Sequence, residues 1–142
     1  YAINKDALSI ANQYDLVYID TPYISKKGVA TDYRDFYHFL EGLTMYDKWS
    51  DELDTKSKHL RLKRQPSAWT DKKQIHSAFD QLFANFADST LVVSYRSDGI
   101  PSEQELVEIL SQYKHVEVIE YGQYQYALST NKKSRELLLI GT

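Results

Sequence analysis

A short apolar segment that runs directly into Asp20-Thr21-Pro22-Tyr23 limits the possible folds of this chain more than any other feature. Residues 15–19 are mostly apolar, as expected of a strand that is covered on both faces of a parallel sheet. Pro22 holds the backbone extended after that strand, so the chain does not continue as a helix there. The pattern therefore predicts a buried strand over 15–19 whose carboxyl end carries an acid and an exposed aromatic ring.

These residue types suit the binding of a flat heterocycle. The carboxylate of Asp20 can accept a hydrogen bond from an amino group, and the ring of Tyr23 can stack on a planar base. The extended backbone at Pro22 lets nearby carbonyl groups face a ligand. Together they predict a small site that holds a base by its exocyclic amine, although a turn aspartate after a strand is the plainer interpretation of Asp20.

The motif resembles the Asp-Pro-Pro-Tyr signature of the adenine-specific DNA methyltransferases, with Thr21 in place of the first proline. Residues 4–8, 37–43, 92–102 and 136–141 also resemble bacterial members, so the likeness covers nearly the whole chain. It implies an α/β fold, the C-terminal half of a Rossmann-like S-adenosylmethionine-dependent methyltransferase, with a mostly parallel sheet and a late antiparallel hairpin. Residues 1–142 would then be a single partial domain, the catalytic C-terminal part.

The resemblance implies catalytic roles for four residues. Asp20 and the backbone carbonyl of Thr21 would accept hydrogen bonds from the amine of a flipped adenine, and Tyr23 would stack on the base beside Pro22. Asp6 would contact the adenine of the cofactor, S-adenosylmethionine, although capping of a short helix is an equally good interpretation of this acid.

Charge points to DNA only locally, since the formal net charge is -3. We name one group of cations the basic strip: Lys56, Lys58, Arg61, Lys63 and Arg64. It is interpreted either as a surface that contacts phosphates or as a solvated loop. Tyr95 and Arg96 lie at the end of the next predicted strand, where they would contact nucleic acid at the base pocket or simply lead into a turn.

Periodicity predicts the other elements. Phe36, Phe39, Leu40 and Leu43 give the stripe of a helix over 33–46. A second helix, capped by Thr70, would bury Ile75, Phe79, Leu82, Phe83 and Phe86. Further predictions are a strand end at 1–3, strands over 90–95, 115–121 and 136–140, a capping box from Ser102 to Glu105, and a helical or loop insertion over 24–89.

Other classes of site are disfavoured. The chain has no cysteine, its four histidines are scattered, and no metal site is predicted. No apolar run reaches the length of a membrane span and no signal segment is visible, so a cytoplasmic protein without a membrane partner is expected. No G-x-G pattern occurs, so the glycine-containing cofactor loop of the family would lie upstream and this piece would be inactive alone.

The expected partners are double-stranded DNA and, within a restriction–modification system, a cognate restriction endonuclease. Two alternatives remain open at this point. One is an RNA or protein-glutamine methyltransferase of the same fold, and the other is a non-catalytic module that binds nucleic acid.

Overall fold

A central four-stranded sheet organises the protein in a computed structural model that describes residues 2–10, 13–123 and 134–142. The sheet contains β1 (Leu16–Asp20), β3 (Thr90–Arg96), β5 (Val116–Gln123) and β6 (Arg135–Gly141). A separate two-stranded ladder joins β2 (Ile24–Ser25) to β4 (Gly99–Ile100). The helices are α1 (Tyr33–Phe36), α2 (His38–Thr44), α3 (Trp49–Glu52), α4 (Ile75–Asn85) and α5 (Glu103–Leu110), and two short 3-10 helices lie at Ala7–Ser9 and Tyr46–Lys48.

The order of the sheet is β1-β3-β6-β5. β1 and β3 are parallel, with Asp20 opposite Ser94, whereas β6 pairs antiparallel with both β3 and β5. The α/β class and the late hairpin are therefore confirmed. The described sheet is mixed, rather than mostly parallel, because only one of its three pairings is parallel.

One face of the sheet builds the core against α4 and α5. Ile19, Leu91, Val93, Leu137 and Leu139 are buried there. The predicted stripe of α4 is confirmed, because all five of its residues are buried, and α5 begins with the predicted capping box. α4 lies within the predicted insertion over 24–89 and is part of this core, as is Ile24. The bounds of the insertion stay a prediction.

The other face of β1 is open in the described part of the chain. Leu16 and Tyr18 are 56% and 59% exposed. The expectation of a strand covered on both faces is therefore met only on the side of Ile19, which packs into the core.

The helix predicted over 33–46 is wrong in both extent and orientation. The chain breaks at Tyr37 into α1 and α2, and the residues of the predicted stripe are all exposed. The face that packs is that of Gly42, where a Cβ atom would collide with the indole ring of Trp49. The apolar repeat predicts a helical segment correctly, but the described residues leave Phe36 and Leu40 exposed.

Two smaller predictions also need correction. Thr70 does not cap α4, because its hydroxyl donates to the carbonyl of Ser67, and the cap residue Gln74 makes no capping side-chain bond. Ala2 and Ile3 are not in a strand, while Tyr1 lies outside the described residues, as does the segment 124–133 between the last two strands. None of the described helices is long and apolar enough to cross a membrane.

Two phenylalanines of the same size test the position of the core. Phe83→Ala should lower the free energy of unfolding by about 3–5 kcal/mol, because Phe83 is fully buried, whereas Phe36→Ala should cost under about 1 kcal/mol. Urea denaturation of the whole protein measures both. An equal loss for Phe36 would contradict the exposure that the structure gives it.

Candidate functional site

The acid and the ring of the predicted motif lie together at the carboxyl end of β1. The hydroxyl of Tyr23 donates a hydrogen bond to Oδ1 of Asp20 over 3.2 Å. Asp20 is exposed and Tyr23 is half-buried, so both side chains can be reached from solvent. The predicted juxtaposition of these two strand ends is also present, since Ser94 of β3 lies opposite Asp20.

A second tyrosine supports the ring of Tyr23 from below. Tyr95 meets Tyr23 edge to face, with the ring centroids 5.8 Å apart, and it rests on Phe79 at 5.9 Å. Its hydroxyl donates to the carbonyl of Pro101 at 2.9 Å, and burial strongly raises its pKa. Because Tyr95 is only 1% exposed, the prediction that it contacts nucleic acid is corrected: it holds Tyr23 in place instead.

Gly99 makes room for that arrangement. A Cβ atom at this position would lie 2.6 Å from the hydroxyl oxygen of Tyr95. A larger residue in β4 would therefore push Tyr95 away and disturb the ring packed above it.

Arg96 lies over the ring of Tyr23 and is fixed there by Asp98. Its Cζ atom is 5.9 Å from the ring centroid, a distance at which a guanidinium is attracted to the π face. Its Nε and Nη2 atoms donate to the two oxygens of Asp98 at 2.6 and 2.9 Å. The hydrogen bond from Arg96 lowers the pKa of Asp98, which also accepts a hydrogen bond from Ser134.

The middle residues of the motif are less exposed. Thr21 is 6% exposed, and its Oγ1 atom is buried without a hydrogen-bond partner in the described residues. Pro22 is half-buried and lines two grooves.

One of these grooves, of about 650 Å³, brings in residues that the sequence did not indicate. Tyr33, Arg34 and Trp69 line it together with Asp6 and Pro22. Burial raises the pKa of Tyr33, and the negative charge of Asp20 raises it further. The sequence signal for Trp69 would have been its large apolar side chain in a segment without helix or strand periodicity.

Asp6 caps the 3-10 helix Ala7–Ser9, as one of its two interpretations required. Its Oδ1 atom accepts a hydrogen bond from the backbone nitrogen of Leu8 at 3.0 Å. Because Asp6 also lines the groove beside Pro22, its contact with a cofactor stays a prediction.

The basic strip divides into two groups. Arg61 and Arg64 form ion pairs with the two oxygens of Asp35 at 2.6 and 2.9 Å, and the ammonium of Lys63 donates to the carbonyl of Asp51. Burial alone would raise the pKa of Asp35, but the hydrogen bonds and charges of the two arginines lower it. The other two members, Lys56 and Lys58, are exposed and form no ion pair within the described residues.

The chain is similar to several modification enzymes. It is 31% identical to modification methylase StsI of Streptococcus sanguinis over 96% of this chain and 21% of that protein. It is 33% identical to modification methylase LlaI of Lactococcus lactis subsp. lactis over 84% of this chain and 18% of that protein. It is 27% identical to type II methyltransferase M.FokI of Planomicrobium okeanokoites, over 94% of this chain and 20% of that protein.

This chain thus spans about a fifth of the length of the curated relatives that it matches. No family model matches it, and no solved structure matches it.

The ion pair between Arg96 and Asp98 gives a pH-dependent prediction. Asp98→Asn should lower stability by about 1.5–3 kcal/mol at neutral pH, because it weakens charge-assisted hydrogen bonds, and the exposed Asp88→Asn should have little effect. The pKa of Asp98 is lower in the folded protein, so its contribution is complete above the ordinary value of 3.8. The contribution is lost as the pH falls through the lowered value.

Thermal unfolding of the wild type and both variants between pH 2 and 7 measures this effect. A stability difference between the wild type and Asp98→Asn that stays the same from pH 7 to pH 2 would contradict the role of the Arg96–Asp98 ion pair.

Proposed function

We propose that this chain carries the base pocket and catalytic strand of a DNA adenine methyltransferase of a restriction–modification system. In this proposal, a methyl group passes from S-adenosylmethionine to the exocyclic amine of a flipped adenine. The observation that carries the proposal is the hydrogen bond from Tyr23 to Asp20, both accessible at the carboxyl end of a strand in an α/β sheet. The similarity to proteins named modification methylases supports the same class of reaction.

Asp20 and the carbonyl of Thr21 have the chemistry that the amine of adenine requires. This nitrogen is a poor nucleophile because its lone pair is delocalised into the purine ring. Two acceptors that bind both amine protons favour a more tetrahedral nitrogen with a localised lone pair. Since Asp20 is exposed, the proton that the amine loses on methylation can pass to water.

Tyr23 would hold the extruded base. Flipping a base out of a duplex costs roughly a few kcal/mol, and stacking on an aromatic ring returns about 1–3 kcal/mol per base. The ring is held by its edge-to-face contact with Tyr95 and by Arg96, which lies over it, so little of that energy is lost in ordering the ring.

The groove beside Pro22 would hold the adenosine part of the cofactor. The carboxylate of Asp6 can accept hydrogen bonds from hydroxyl or amino groups, and Trp69 offers a flat apolar surface. When bound, S-adenosylmethionine supplies the electrophilic methyl group. The contribution of this chain is then to position the target amine against it, and positioning supplies much of the rate.

DNA remains the proposed macromolecular substrate, with the exposed Lys56 and Lys58 as contacts to its phosphates. Arg96 could contact DNA only from its fixed position over Tyr23. A cognate endonuclease is proposed as the functional counterpart of the enzyme.

Replacement of the acid tests the chemistry. Asp20→Ala should reduce methyl transfer to duplex DNA by roughly 10²-fold or more, because one of the two acceptors for the amine is lost, while cofactor affinity stays unchanged. Radiolabelled transfer by the whole protein, followed by nucleoside analysis, measures the rate and identifies the methylated base. Asp15→Ala, a change to the exposed acid just before the same strand, is the matched control.

Label on adenine is the expected result. Label on cytosine, on RNA or on protein would contradict the proposed substrate, and full activity of Asp20→Ala would remove this acid from the mechanism.

Two substitutions of Tyr23 separate its ring from its hydroxyl. Tyr23→Phe keeps the stacking surface, whereas Tyr23→Ala should lose about 1–3 kcal/mol of binding to the flipped base. The fluorescence of 2-aminopurine at the target position reports base flipping without requiring turnover. If Tyr23→Ala gives the same fluorescence change as the wild type, the base does not stack on this ring.

A further inference from the structure

Lysines from two separate segments come together beside the candidate site. Lys26 and Lys27 occupy the tip of a tight turn in which the nitrogen of Gly28 donates to the carbonyl of Ser25 at 2.7 Å. Gly28 has a φ angle of +78°, which closes the turn in a conformation that other residues rarely adopt. The turn therefore presents two ammonium groups at an exposed tip.

The second segment precedes α4. A Cβ atom on Gly28 would lie 3.7 Å from the Nζ atom of Lys72, so the ammonium of Lys72 lies against the turn. Lys73 follows it and is also exposed. We call these four residues the lysine cluster: Lys26, Lys27, Lys72 and Lys73.

The charges of the lysine cluster are only partly offset by the fold, since only those of Lys72 and Lys73 act on the adjacent Asp71 in the described residues. No side chain in the cluster forms an ion pair within the described residues. The adjacent acid, Asp71, accepts hydrogen bonds from the backbone nitrogen of Lys73 and the side chain of Gln74, and these bonds lower its pKa. Because like charges repel, stability does not explain this grouping, whereas an anionic partner does.

The turn is connected to both halves of the candidate site. It begins two residues after Tyr23, and the nitrogen of Thr31 donates back to the carbonyl of Tyr23 at 2.8 Å. The nitrogen of Lys26 donates to the carbonyl of Asp98, which holds Arg96, at 3.2 Å. Backbone hydrogen bonds therefore connect the turn of the lysine cluster directly to Tyr23 and Asp98 of the candidate site.

The basic strip offers a contrast. Arg61 and Arg64 are already paired with Asp35, so their charge is partly neutralised within the protein. A phosphate that approached them would compete with a carboxylate, which is not the case at Lys26 or Lys27.

We propose that the lysine cluster binds the phosphate backbone of the DNA strand that flanks the target base. This assignment rests on the proposed function, because DNA is the polyanion that would approach Tyr23. Neutralising a phosphate with a lysine releases a counterion, so each contact contributes to the salt dependence of binding. The cluster thus fixes the position of the strand, while the pocket selects the base.

Binding of the whole protein to a DNA duplex, measured over a series of salt concentrations, tests the assignment. Lys26→Ala, Lys27→Ala and Lys72→Ala combined should reduce the slope of log K against log salt by about 2–3 and weaken binding on the order of tenfold at physiological salt. The corresponding triple substitution to arginine retains the charges and should retain the slope.

Lys72→Ala and Lys114→Ala form a matched pair of single substitutions. The side chain of Lys114 packs against Gly141, which pairs with Leu91 at the opposite end of the sheet from Asp20. We expect Lys72→Ala to reduce the slope by about 1 and Lys114→Ala to leave it unchanged.

Failure of this assignment can be told apart from failure of the proposed function, because binding is read without turnover. An unchanged slope in a triple alanine variant whose wild type methylates adenine would overturn the lysine cluster alone. A reduced slope in a protein that transfers no methyl group to adenine would support the cluster and contradict the proposed reaction. A wild-type protein that does not bind the duplex would overturn both.

Discussion

The parallel pairing of β1 with β3 is the constraint on which the rest of the structure depends. It places Ile19 in the core and Asp20 at the open end of the sheet, opposite Ser94. A slip of one residue would turn Asp20 toward the core and Ile19 toward solvent, since side chains alternate along a strand. Burial of Ile19 against α4 therefore fixes where the acid of the motif stands.

Behind that acid, the site is built as a layer on top of the core. Phe79 of α4 supports Tyr95, Tyr95 supports Tyr23, and Tyr23 reaches Asp20. Each edge-to-face contact contributes about 0.5–1.5 kcal/mol beyond the burial of apolar area. Because Tyr95 and Phe79 are already buried, ligand binding does not change their solvent exposure. Stacking on a base requires a ring that is held in place by buried neighbours and is accessible to solvent, and Tyr23 meets both requirements.

The cations of the chain have separate tasks according to their chemistry. The structure uses arginines in ion pairs: Arg96 binds Asp98 through two hydrogen bonds, and Arg61 and Arg64 each bind one oxygen of Asp35. Lysines supply the exposed, unpaired charge, as at Lys26 and Lys72. The crowding of cations along the sequence identified the basic strip. The exposure of the lysines in the folded protein identifies the lysine cluster.

Local patterns by themselves determined the strands around Ile19 and Val93, the buried stripe of α4 and the capping box at Ser102, because periodicity and caps act within a few residues. The motif at Asp20 also predicted that this acid and the ring of Tyr23 lie together, as their hydrogen bond shows. Only the tertiary structure decided that Tyr95 is buried and that Asp35 pairs with arginines far along the chain. It also decided that Lys72 meets the turn at Gly28. These contacts join segments that are far apart in the sequence, and a local sequence pattern does not determine which distant segments meet.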